Sequence, residues 1–235
     1  MGEHTVASFD QELEAIDRLI RDMGDLSATM VADATRSLLA SDLALAQRVV
    51  SDDAIMDAKQ REIDDQAITL IARRQPMAQD LRAVVSAIRM ASDLERVGDL
   101  AKNIAKRVGA VGLSATPVPL SHSIESMAEL VHGQVGKVVS LYAERNAEAL
   151  PGLRADDEKI DIQYTAIFRE LLTYMMEDPR NITACTHLLF CAKNLERIGD
   201  HVTNIAENAY YVMTGRQLPM TRPRVDETAV SDASA

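Results

Sequence analysis

Tryptophan is absent from this 235-residue chain, and aromatic residues make up only 3% of it. Sheet sandwiches draw on aromatic and β-branched side chains, so that composition favours thin helical bundles instead. Cysteine is scarce too. The two present, Cys185 and Cys191, fall on different faces of one expected helix and form neither a Cys-x-x-Cys redox pair nor half of a zinc site. Both are expected to be buried, reduced packing residues. No stretch approaches the roughly 18 uninterrupted apolar residues of a membrane span. The opening MGEHTVASFDQELEAID lacks the basic start and apolar run of a signal peptide, and Val6 stands where a myristoylation start wants Ser or Thr. A cytoplasmic protein is therefore expected. Positive charge is also in short supply: 25 Lys and Arg against 36 Asp and Glu leave a net charge of −11. Nucleic acid is a poor partner for such a chain, because neutralising phosphates needs a basic stripe. Cations or basic protein surfaces suit it better, and much of the acid also serves solubility. No P-loop, no Gly-x-Gly-x-x-Gly and no nucleophile–base motif is legible.

What the chain does contain is a peptide written twice. Residues 94–105 read LERVGDLAKNIA and residues 195–206 read LERIGDHVTNIA. Glu95, Arg96, Gly98, Asp99, Asn103, Ile104 and Ala105 recur as Glu196, Arg197, Gly199, Asp200, Asn204, Ile205 and Ala206. A repeat kept only for its core would preserve apolar positions alone; this one preserves charges, a glycine and an asparagine. The protein is thus two copies of one unit, each carrying the same polar device.

Prolines cut each copy into helix-sized pieces. Over about 7–50, Phe9, Leu13, Ile16, Ile20, Met23, Leu26 and Met30 recur at helical spacing, and Asp52/Asp53 offers a cap for a second helix running to about Arg74. Pro76 suits the first turn of a third helix that reaches about Val108. Residues 109–119 read as a linker. Further helices are expected over about 122–149, 156–176 and from Pro179 to about Met213, and the polar 215–235 tail reads as disordered. The fold class is all-α: two tandem antiparallel three-helix bundles, 7–113 and 120–214, placed end to end.

Acids line the flanks of the apolar stripes. Glu95 and Asp99 sit one turn apart beside Leu94, Val97, Ala101 and Ile104; Glu196 and Asp200 repeat them. Asp53 and Asp57 flank Met56, Ile63, Ala67 and Leu70, while Asp157 and Asp161 flank Ile160, Ile167 and Leu171. Antiparallel helices rise equally from their turn. The pairs 53/99 and 57/95 are both centred on Pro76, and 157/200 and 161/196 are both centred beside Pro179. Asp53 should therefore face Asp99 and Asp57 face Glu95; Asp157 should face Asp200 and Asp161 face Glu196. Four carboxylates at one level repel unless compensated. A hard multivalent cation is one compensation; pairing with Arg96, Arg197 or Lys102 is the other. Gly98 and Gly199, costly in mid-helix at about 1 kcal/mol, mark a close approach beside the acids, by a neighbouring helix or a ligand. His201 has Leu100 at the equivalent place, so it is not expected to be a shared ligand. No His or Cys recurs in both halves, which speaks against a carboxylate-bridged metalloenzyme.

The strings RRQPMAQDLR (73–82) and SDLERVGDLAKNIA, with EDPRNI (177–182) and NLERIGDHVTNIAE, resemble the PhoU family of phosphate-transport accessory proteins over about residues 7–214. The resemblance implies two similar three-helix bundles whose acidic motifs bind iron clusters or other divalent metal, Mn, Mg or Zn. The metal-binding positions it implies are Asp53, Asp57, Glu95, Asp99, Asp157, Asp161, Glu196 and Asp200. It also implies a non-enzymatic cytoplasmic adaptor, often a homodimer, that represses the phosphate-starvation response. Its implied contacts are the ATPase of the phosphate-specific ABC transporter and a sensor histidine kinase. A metal-storage bundle is the alternative.

Overall fold

The computed structural model describes residues 2–111 and 118–218. Its helices are α1 (Gly2–Ala40), α2 (Leu43–Arg74), α3 (Gln79–Ala105), the single turn α4 (Val108–Val111), α5 (Val118–Ala143), α6 (Gly152–Glu177) and α7 (Ile182–Thr214), with a 3₁₀ turn over Pro179–Asn181 before α7. Among the described residues there is no strand, and no helix is long and apolar enough to cross a membrane. The central part of the expected 109–119 linker and nearly all of the expected disordered tail lie outside the described residues.

The anticipated apolar stripes are the core. Ile16, Ile20, Met23 and Met30 of α1, Met56, Ile63, Ala67 and Leu70 of α2, and Leu94, Val97, Ala101 and Ile104 of α3 are all buried. Ile160, Ile167 and Leu171 of α6 are buried likewise. Cys185 and Cys191 are free and buried, and burial pushes the Cys191 thiol up to about 12, so it stays an inert packing group.

Several boundaries differ from the sequence expectation, each for a local reason. The first break falls at Ser41-Asp42, not at Asp52/Asp53. Ser41 turns left-handed at φ 54°, and the Asp42 side chain accepts a hydrogen bond from Leu45 N at 2.9 Å, capping α2. Apolar spacing runs straight through this two-residue break, which hides it. Pro76 follows α2 instead of opening α3. Gln75, at φ 48°, caps α2 by donating its N–H to Ile71 O at 3.0 Å, and the residue before a proline is excluded from α geometry anyway. Helix α5 ends at Ala143, six residues before the expected end, because Arg145 turns left-handed at φ 55° and Asn146 N bonds back to Leu141 O at 3.0 Å.

The larger correction concerns arrangement. The bundles α1–α2–α3 and α5–α6–α7 do not stack end to end; they lie side by side. The most extensive contact between any two helices is between α3 and α7, across the bundles, and α1 packs on α5. Buried residues of both units form one continuous core. Helices α3 and α7 run antiparallel, as the polar contacts between them show. Arg82 at the start of α3 stacks on Tyr211 near the end of α7 (5.0 Å to the ring centroid). Asp93 meets His201 Nδ1 at 2.9 Å, and Arg107, just beyond α3, meets His187 at 3.1 Å and the Phe190 ring at 4.3 Å.

The α1–α5 crossing depends on Gly24, where an added Cβ would lie 2.5 Å from Val139 Cγ2. Gly133, also in mid-helix, has nothing within 4 Å of such a Cβ. Gly133→Ala is therefore expected to stabilise the fold by about 0.5–1 kcal/mol through helix propensity alone. Gly24→Ala gains the same propensity but forces the stiff Val139 aside, at about 1–3 kcal/mol, and is expected to be destabilising. Thermal melts of the two variants should shift in opposite directions.

Candidate functional site

The acids of the first half meet where α2 and α3 run antiparallel from their turn. Asp53 and Asp99 share one cation: Lys102 Nζ donates to Asp53 Oδ2 at 2.7 Å and to Asp99 Oδ1 at 2.6 Å. Arg96 adds a 3.1 Å bond to Asp99 Oδ2 and lies 3.6 Å from Glu95. The side chains are sheltered, with Lys102 18%, Asp53 16% and Asp99 27% exposed. Burial works against the Lys102 ammonium, yet hydrogen bonds to Asp53 and Asp99 outweigh it and hold its pKa above the ordinary lysine value. Burial likewise works against charging Asp99, but Lys102 and Arg96 carry its pKa below the usual carboxylate range. Glu95 is left out of this neutralisation. Burial, Asp99 and Asp57 together raise its pKa, with only Arg96 opposing.

The second half repeats the acids without that lysine. Thr203 stands where Lys102 stands in the first copy of the duplicated peptide. Asp157 is only 6% exposed, and Asp161, Glu196 and Asp200 are partly buried. Lys193, itself 44% exposed, pairs with Glu196 from the flank at 2.8 Å. The two mid-helix glycines serve close packing, yet against different neighbours. A Cβ on Gly98 would meet Met56 and Met30, the nearest atom at 3.2 Å; one on Gly199 would meet Asp157 Oδ1 at 2.8 Å and Gln134 Oε1 at 3.4 Å. The second unit thus carries a buried carboxylate and amide where the first carries methionines. Gln134, 2% exposed, donates through Nε2 to Leu153 O at 3.1 Å; its Oε1 and the Thr203 hydroxyl are buried with no hydrogen-bond partner among the described residues.

These differences bear on whether the halves suit a cation. As the side chains stand, no three His, Cys, Asp or Glu among the described residues converge as a metal centre. In the first half the ammonium of Lys102 occupies the place of a compensating ion. In the second, a set of oxygen donors that includes two unsatisfied buried oxygens suits a hard cation. His201 turns to Asp93 of the other bundle. The Glu-x-x-His spacing Glu129–His132 occurs once, with both side chains exposed on α5. Gln134 and Thr203 escaped the sequence reading. The signal for Thr203 was the mismatch Lys102/Thr203 inside the repeat; Gln134 gave none, since Leu153 and Gly199, which it meets, lie on other helices.

Removing the shared cation tests this account. Lys102→Met leaves two sheltered carboxylates opposed and is expected to destabilise the protein at pH 7 by about 1–3 kcal/mol. Because the folded-state pKa of Asp99 is lowered, its contribution is present above pH 3.8 and is lost as pH falls below that value. Glu95 has the opposite sign: its raised pKa disfavours the fold as pH climbs from 4.5 through the folded value, so Glu95→Gln is expected to raise stability at pH 7 and leave it unchanged at pH 4. Urea titrations of the three proteins at pH 7 and pH 4 measure the Glu95 effect, and a further titration below pH 3.8 measures the loss of the Asp99 contribution.

Comparison with known proteins places this geometry. A family model described as the PhoU domain matches twice, at residues 20–108 and 124–209. A "Phosphate-specific transport system accessory protein PhoU homolog" of Rhizobium meliloti is 57% identical over 96% of this chain and 95% of its own length. A protein of the same description from Caulobacter vibrioides is 47% identical, covering 96% of this chain and 98% of that protein. Among solved structures, the crystal structure of PhoU from Pseudomonas aeruginosa superposes with a TM-score of 0.85 at 34% identity, covering 88% of this chain and all (100%) of that one. The phosphate transport system regulatory protein PhoU from Streptococcus pneumoniae gives 0.82 at 27% identity, covering 90% of this chain and 100% of that one. With its duplicated unit matched twice and relatives aligned over nearly their whole length, this chain belongs to the PhoU family.

Proposed function

We propose that this protein regulates phosphate transport by contact and not by turnover. The observation that carries the reading is the whole-length match to an accessory protein of the phosphate-specific transport system, 57% identical over 96% of this chain and 95% of the relative. So complete an overlap leaves no room for a separate catalytic domain in that relative. In this reading the protein works in the cytoplasm, as a homodimer, on the ATPase of the phosphate-specific ABC transporter and on a sensor histidine kinase. It restrains uptake and keeps the starvation response off when phosphate is plentiful. The acidic balance, −11 overall, suits docking onto basic partner surfaces, where such charges mainly set association rate and salt dependence.

The acidic clusters enter this reading as structural elements. Asp157, Asp161, Glu196 and Asp200 would hold a divalent or multinuclear metal, Mg, Mn, Fe or Zn. Such an ion supplies charge compensation that locks α6 to α7. In the first half, Asp53, Asp57, Glu95 and Asp99 would take metal only once Lys102 is displaced.

Loss of the gene is expected to switch starvation genes on in phosphate-rich medium and to raise phosphate uptake, measured with a reporter and with labelled phosphate. Normal repression and normal uptake in the deletion strain would remove the adaptor reading. Co-purification with the transporter ATPase should weaken as salt rises. For the metal, a ligand that binds only the folded state adds about 2.7 kcal/mol at a hundredfold excess over Kd. Mn²⁺ is therefore expected to raise the melting temperature of the wild type and of Asp53→Ala/Asp99→Ala equally. Asp157→Ala/Asp200→Ala should not respond.

A further inference from the structure

The contact between the two bundles leaves a cleft of about 860 Å³ beside the N-terminal part of α3 and the C-terminal part of α7. Its polar walls are Arg82 and Arg89 of α3, Arg154 of α6, and Asn204, Asn208 and Tyr211 of α7. In a chain with 36 acids against 25 bases, three guanidinium groups in one cleft are a local reversal of sign. Two carboxylates share the lining, and both are engaged. Asp93 accepts from His201 and Asn204, at 2.9 and 3.4 Å, and Glu207 accepts from Arg154 at 2.5 Å. That leaves the arginines of α3. Arg82 is held by the Tyr211 ring and lies against the α7 cap at Gly215, where no Cβ would fit beside its guanidinium. It is thus positioned without a carboxylate partner among the described residues. Arg89 is exposed and makes no ion pair among the described residues.

Arg82 and Arg89 sit two turns apart on one face of α3, roughly 10 Å along the axis. Guanidinium forks match phosphate oxygens two at a time. The amides of Asn204 and Asn208, which donate one hydrogen each, to Asp93 Oδ1 (3.4 Å) and to Asn204 O (2.9 Å) respectively, keep a second hydrogen to offer from α7. Gln217 and Leu218, just after α7, and Ala78 and Leu81 at the start of α3 complete the lining; Leu218 is buried. A volume of this order is that of a small-molecule site, larger than one free anion needs.

We propose that this cleft binds the phosphoryl groups of a small molecule, with Arg82 and Arg89 as the recognising residues and Asn204 and Asn208 as accessory donors. The site is separate from both acidic clusters and does not rest on the adaptor reading. It would let the inter-bundle contact respond to a phosphorylated ligand, because such a ligand bridges α3 and α7.

Isothermal titration of the full chain with inorganic phosphate, pyrophosphate and ATP, without divalent cation and at physiological ionic strength, tests it. Saturable binding of at least one of them is expected, weakened about tenfold or more by Arg89→Gln through the lost charge-assisted fork. Arg89 is exposed, so the melting temperature of that variant should match the wild type. Arg82→Gln/Arg89→Gln should abolish binding. Tighter binding of ATP than of inorganic phosphate identifies an organic phosphate as the ligand; equal binding identifies the free anion. No saturable binding of any of the three, or binding that Arg89→Gln leaves unchanged, overturns the proposal. So does capture of an acidic peptide with all three phosphates failing to compete, which would make the cleft a protein-docking surface.

Discussion

The antiparallel packing of α3 on α7 is the contact on which the remaining structure depends. Each of these helices is the third of its own bundle and also faces the other bundle, so it is covered on most sides. Val84, Met90, Leu94, Val97, Ala101 and Ile104 of α3, and Leu188, Cys191, Leu195, Ile198, Val202 and Ile205 of α7, are all buried as a result. Helices so enclosed have little surface left for water, and their polar residues must find partners in the protein. That constraint gathers the polar chemistry of the chain around α3 and α7. Asp93 reaches His201, Arg107 reaches His187, and Arg82 lies on Tyr211. Close packing within each bundle, on the side away from this interface, explains the absence of side chains at Gly98 and Gly199, where Met56 of α2 and Asp157 of α6 come up against the helix backbone.

Duplication supplied two equivalent acidic sites, and divergence then treated them differently. In the first, one lysine bridges Asp53 and Asp99, and its hydrogen bonds hold the Asp99 pKa down and its own pKa up. The lysine ties Asp53 of α2 to Asp99 of α3 and so helps fix the α2–α3 register, while Glu95 stays outside this pairing. The second has Thr203 in place of the lysine and Gln134 in place of Met30, and the Gln134 Oε1 and Thr203 hydroxyl oxygens are buried with no hydrogen-bond partner among the described residues. Buried oxygens without donors are expensive, and a bound cation is the natural way to satisfy them. Two differences between the copies, Lys102 against Thr203 and Met30 against Gln134, thus separate a lysine-bridged site from one lined by further oxygens.

The arginine-lined cleft stands against the acidic balance of the whole chain. The acidic exterior favours encounter with basic partners, whereas the cleft reverses that sign where the two bundles meet. A molecule bound there would touch α3 and α7 together, so occupancy and the inter-bundle contact are thermodynamically linked. The one-piece core leaves few other places where the two units have freedom to adjust.

Much of this was decided locally and was readable in the sequence. Helical class, the duplication, the apolar stripes of α2, α3 and α6, and the facing of Asp53 with Asp99 across the Pro76 turn all follow from periods and spacings, since helix rise and side-chain direction are set by the backbone. The α1–α2 break was not readable that way, because the Ser41-Asp42 turn interrupts the chain without interrupting the apolar spacing. Other features rest on contacts between residues far apart in the chain. The side-by-side bundles, the pairing of Asp93 with His201 and the gathering of Arg82, Arg89 and Arg154 around one cleft depend on which faces of α3 and α7 bury each other. An amphipathic pattern states that a face must be covered; only three-dimensional packing selects what covers it, because the hydrophobic effect that drives burial carries no direction.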